Sequence, residues 1–160
     1  MKTDKAILEE LFSEMSIEKD LETAKDELRR KSLTLVIVKD SKVIFESGTH
    51  GVSAFLEALE NLGGEMEGAS VADKVVGKAI ALLCVYAGVK AVYTLTLSVN
   101  AKRVFEKYGV HFEWENLVEK ILDSSGENVC PFEKATMKTD NPKKAYEKVK
   151  ALLEALKDKR

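Results

Sequence analysis

The chain has 160 residues, 45% of them hydrophobic and 32% charged, with a formal net charge of -2. That is enough for one domain with a sizeable core, and the near-neutral balance excludes a general electrostatic nucleic-acid binder, which carries a basic domain. Two cysteines in 160 residues exclude a disulfide framework.

The opening stretch, "MKTDKAILEELFSEM", interleaves charge with apolar residues, so no signal peptide is expected. Over residues 4–30, Ile7, Leu8, Leu11, Phe12 and Met15, then Leu21, Ala24 and Leu28, predict an amphipathic helix interrupted near Ser16. Residues 1–30 are therefore expected as a helical extension ahead of a domain over 31–160. The face of Leu8, Leu11, Phe12 and Met15 is a candidate contact for a homo-oligomer.

Two β-branched runs flank Asp40-Ser41 in "LTLVIVKDSKVIFESG", which predicts a β-hairpin. "GTHGV", residues 48–52, can expose backbone N–H groups through its glycines. His50 would be an acid–base group near neutral pH, so His50 and Gly51 are candidate ligand-binding residues. "GVSAFLEALENLGG" predicts a helix stopped at Gly63-Gly64.

"VADKVVGKAIALL" predicts a helix from about 71 to 87 closed by Gly88, with Ser70-x-x-Asp73 as a capping box. On that helix Lys74 and Lys78 lie one turn apart near its start, where positive charge is misplaced. Cys84, inside the apolar run, reads as a packed thiol. The run "AIALLCVYAGV" is too short to cross a bilayer, so no membrane partner and a cytoplasmic location are expected.

"VKAVYTLTLS" predicts a strand buried on both faces. "VNAKRVFEKYG" predicts a helix stopped by Gly109, "VHFEWE" a short strand, "NLVEKILDS" a helix and "SGENVCPFE" a loop. Asn141-Pro142 starts a last helix to about Leu156, with proline at its favoured position. The alternation predicts a three-layer α/β/α sandwich on a mixed sheet. Abundant Lys and Glu with no glutamine is a balance seen in proteins from hot environments.

This order of elements resembles the cytidine-deaminase-like fold. More narrowly, "VADKVVGKA" together with the later "CPFE" is similar to a small family of uncharacterised prokaryotic proteins placed in that fold, over roughly residues 30–140. The segment "ILDSSGEN" departs from that family's pattern in lacking an Asn-Arg pair. The resemblance implies a fold and a site location rather than a reaction. Zinc deaminases start the central helix with His-x-Glu and the next with Pro-Cys-x-x-Cys. Here those positions fall on Val71-Ala72-Asp73 and on Ser98 to Lys102, without histidine or cysteine. No metal and no other cofactor is therefore expected.

With zinc and thiolates replaced by lysines, two helix N-termini would suit a small anion, a phosphate, carboxylate or nucleotide-like metabolite. Lys74 and Lys78 would bind it, Asp73 would orient them or act as a base, Gly77 would allow close approach, and Ser98 and Asn100 would donate hydrogen bonds. Cys130, in a loop stiffened by Pro131, would be a nucleophile activated by a lysine, and Glu133 would pair with a lysine of the central helix. Asp73, Lys78 and Cys130 are thus the candidate catalytic residues. The alternative is an inactive structural or oligomerisation module.

Overall fold

A computed structural model describes residues 3–49 and 51–158. The elements are α1 (Asp4–Arg30), β1 (Leu35–Lys39), β2 (Lys42–Ser47), α2 (Val52–Leu62), β3 (Ser70–Val76), α3 (Lys78–Ala87), β4 (Ala91–Ser98), α4 (Val99–Tyr108), β5 (His111–Val118), α5 (Pro131–Thr136) and α6 (Pro142–Asp158). The five strands form one mixed sheet in the order β2-β1-β3-β4-β5. β1 runs antiparallel to both β2 and β3, whereas β3, β4 and β5 are parallel. Helices cover both faces, which is the three-layer architecture expected.

The layers follow from the two-residue period of the strands. Leu35, Ile37, Val71 and Val92 point to one face, into the main core with α2, α3, α4 and α6. Val36, Val38, Ala72, Ala91 and Tyr93 point to the other, where Leu21, Ala24 and Leu28 of α1 cover them. β4 is buried on both sides, which is why its sequence is nearly continuously apolar. Asp40 and Ser41 both take positive φ, 51° and 66°, the geometry of a tight two-residue hairpin turn. Asp20 of α1 accepts a hydrogen bond from the Ser41 N–H at 3.0 Å and ties the helix to that turn.

Three expectations are corrected. First, α1 does not break near Ser16. Its apolar positions change phase there, and the helix runs unbroken. Second, residues 71–76 are strand, and the helix starts only at Lys78. The valines of this stretch fit a strand enclosed by β1 and β4, and Gly77 makes the turn. Third, Asn116–Val118 continue β5, because they pair with Thr96–Ser98 of β4, so "NLVEKILDS" is the end of a strand and a loop.

Candidate functional site

Because β3 ends where α3 begins, the carboxyl end of β3 and the N-terminus of α3 meet at Gly77. The loop after β5 and the short α5 lie over this point. Together they enclose a cavity of about 120 Å³ lined by Asp73, Lys74, Gly77, Gly51, Cys130 and Glu133, with Thr34, Ile80, Ile121 and Phe132 among the remaining walls. The carboxyl ends of strands in an open α/β sheet are where such folds place ligands.

Glu133 reaches across from α5 and caps α3. One carboxylate oxygen accepts the Lys78 N–H at 3.0 Å, and the Ala79 N–H also points to this carboxylate. A helix start leaves these N–H groups without partners of their own, so the seat suited to an external anion is filled by the chain itself. Gly77 is what lets Glu133 in: a Cβ there would stand 1.4 Å from Glu133 Oε1 and 2.9 Å from Ile121 Cγ1. Burial pushes the Glu133 carboxyl up to about 7, against the lowering effect of the Ala79 and Lys78 N–H groups and the Lys78 charge.

Asp73 is the second carboxyl of the cavity. It is 9% exposed and accepts the Val75 N–H at 3.3 Å. Burial pushes it up to about 7, with only the Val75 and Lys74 N–H groups opposing. Among the described residues no cation offsets its charge, so near neutrality this carboxyl can both donate and accept a proton. Asp73 is not a helix cap, and its pattern mate Ser70 donates instead to the Ile17 carbonyl at 3.1 Å.

The lysines part company. Lys78 is buried. Its ammonium donates to the Met137 carbonyl at 3.1 Å and pairs with Asp140 at 3.1 Å. It fastens α3 to the segment between α5 and α6 and points away from the anion seat. Lys74, one residue from Asp73 on β3, is exposed, and its side chain makes no ion pair among the described residues. The two are not neighbours on one helix turn, so the repulsion expected between them does not arise.

Ser98 caps α4 by accepting the Ala101 N–H at 3.0 Å. Asn100 is exposed and accepts from Arg103 at 3.5 Å. Both border a second, 50 Å³ cavity with Lys78 and Glu133 on the far side of the Glu133 carboxylate, room for a few waters. Lys102 lies with its ammonium 5.4 Å from the Trp114 ring centre, away from the site. Cys130 is half-buried at the start of α5, and its N–H donates to the Ile121 carbonyl at 3.0 Å. Glu133 meets the backbone of Lys78 rather than its ammonium. Gly51, at a φ of 75°, caps α2 beside Asp73. His50 lies outside the described residues. Cys84 is buried in α3, where burial and the nearby Asp73 charge keep it a thiol.

Because α3 starts at Lys78, the helix-start position expected at Val71–Asp73 falls on Gly77, Lys78 and Ala79. Among the described residues no three His, Cys, Asp or Glu side chains gather as metal ligands. This donor set does not fit zinc, which takes at least three such groups. Among the same residues, no helix is long and apolar enough to cross a membrane.

A family model described as a domain of unknown function (DUF1893) matches residues 23–153. A crystal structure of a DUF1893 family protein from Thermotoga maritima is similar, with 27% identity and a TM-score of 0.75 over 86% of this chain and 90% of that one. Acinetobacter baumannii RibD gives 21% identity and a TM-score of 0.45, over 64% of this chain and 35% of that one. A dCMP deaminase from cyanophage S-TIM5, in apo form, gives 17% identity and a TM-score of 0.44, over 63% of this chain and 95% of that one. No curated protein matches.

Proposed function

We propose that the chain, which belongs to the DUF1893 family, binds a small molecule with an amide or amidine edge at the carboxyl end of β3, with Asp73 as the acid–base group that holds it. One observation carries this reading. Asp73 is a buried carboxyl at a cavity, held by two main-chain N–H groups and, among the described residues, offset by no cation. Such a group is costly unless something completes it. A carboxyl that titrates near 7 accepts from one N–H of an amide or amidine and donates to, or pairs with, the adjacent atom. The cavity, about 120 Å³, is smaller than the roughly 150 Å³ that takes a benzene ring, so it admits one small ring or the polar end of a longer molecule.

The expectation of an anionic ligand keeps one residue. Lys74 stands exposed at the rim with no ion pair among the described residues, and an acidic group on the same ligand would meet it there. The seats at the two helix starts are filled by Glu133 and Ser98.

The test uses acetamidinium, 2-pyrrolidone and inorganic phosphate as probes, read by NMR on protein labelled at the aspartate and glutamate carboxyl carbons. The expected result is a saturable shift of the Asp73 and Glu133 carbons with either of the first two, the Glu133 shift lost in Asp73→Ala, and none with phosphate alone. No shift with acetamidinium or 2-pyrrolidone, or binding unaffected by Asp73→Ala, would overturn the reading.

A further inference from the structure

The N-terminal half of α1 has an apolar face that its own fold does not use. Ile7, Leu8, Leu11, Phe12 and Met15 are all exposed, Phe12 at 69% and Met15 at 62%. A helix that merely overran its sheet would carry the same stripe throughout. This one does not. At 3.6 residues per turn, the exposed stripe lies about 140° round the helix from the face formed by Ile17, Leu21, Ala24 and Leu28, which packs on the sheet. The change of phase near Ser16 turns the N-terminal stripe away from the domain that carries it.

We propose that this stripe pairs two copies of the chain, with the N-terminal halves of their α1 helices packed antiparallel about a twofold axis centred near Leu11 and Phe12. Charge along the seam chooses both the occupant and the direction. The same helical face runs on beyond Met15 through Glu22 and Asp26, both exposed, and begins at Asp4. A parallel pair would set Asp4, Glu22 and Asp26 each against its own copy, three acidic contacts on the seam. An antiparallel pair ends before Glu22. It sets Leu8 near Met15 and Leu11 near Phe12, and closes each end with Asp4 and Lys5 of one copy beside Glu18 and Lys19 of the other, a charge-balanced cluster. A twofold axis repeats each contact, as self-complementary interfaces require. The cost of nucleating so short a helix does not fall on the interface, because the second half of α1 is already held by the sheet.

Sedimentation of the full chain tests this. Wild type is expected to sediment at twice the chain mass at tens of micromolar. Phe12→Glu, at an exposed position, is expected to give a folded monomer with an unchanged circular dichroism spectrum. Lys19→Glu leaves each end of the pair net negative and should raise the dimer dissociation constant about tenfold. Adding Asp4→Lys restores the balance in an antiparallel pair and should recover most of that loss. In a parallel pair the double reversal stacks four like charges at each end and weakens association further, which would overturn the direction. A monomeric wild type, or a dimer indifferent to Phe12→Glu, would overturn the interface.

Discussion

Replacing Asp73 by Asn removes a proton-binding site and keeps the shape. The amide oxygen can still accept the Val75 N–H that the carboxylate accepts at 3.3 Å. In the unfolded chain Asp73 releases its proton near its ordinary value of 3.8, whereas in the folded chain burial holds the proton up to about pH 7. Between those values the folded state binds more protons than the unfolded state, so stability falls as pH rises, and the loss is complete above about pH 7. The interval is about three pH units. At 1.36 kcal/mol per unit it sets a ceiling of about 4 kcal/mol, and partial solvation of the site brings the expected loss to the order of 2–3 kcal/mol. Urea unfolding of wild type and Asp73→Asn at half-unit steps from pH 3.5 to 8 measures it. The two should be nearly equal at pH 3.5, and the variant should be the more stable by that amount at pH 8. Curves that run parallel across the range would mean that Asp73 is ionised in the folded protein at neutral pH, and the acid–base reading of the pocket would go with them.

Gly77→Ala is expected to drive the Glu133 carboxylate off the α3 terminus and to cost about 1–3 kcal/mol in urea unfolding. Combined with Glu133→Ala it should add little, since both changes remove the same contact. Glu133→Ala alone leaves the Lys78 and Ala79 N–H groups free and vacates an anion seat. Millimolar phosphate should therefore raise the melting temperature of this variant and leave wild type unmoved. Lys78→Met removes the hydrogen bond to Met137 and the pair with Asp140. It should destabilise by about 1–3 kcal/mol, whereas Asp140→Asn, whose partner keeps the Met137 carbonyl, should cost under about 1 kcal/mol. A calorimetric scan of the two variants separates these magnitudes.

Local pattern was enough for the layers of this molecule and for most of its elements. The alternation of valines and isoleucines in β1, the two-sided apolar run of β4, the glycine stops after α3 and α4 and the proline at the start of α6 all act within a few residues of where they stand. The family resemblance carried on "VADKVVGKA" and "CPFE" pointed to residues at helix starts, and Asp73, Lys74, Gly77, Cys130, Glu133 and Gly51 do meet around one cavity, at a strand end. What each residue does there was decided elsewhere. "SVADKVV" has enough apolar residues for a helix or a strand, and it is a strand because β1 and β4 each offer it a ladder of backbone partners. Glu133 lies 55 residues from the N–H it caps, and Lys78 lies 59 residues from the carbonyl it holds. Nothing near Lys78 in sequence announces that its charge is already spoken for, and nothing near Gly77 says that a carboxylate will need its missing side chain. Periodicity records which face of an element is dry, because that is a property of neighbouring residues. Charge partnership depends on which distant segments the closed fold brings within 3 Å, and only the tertiary structure decides it.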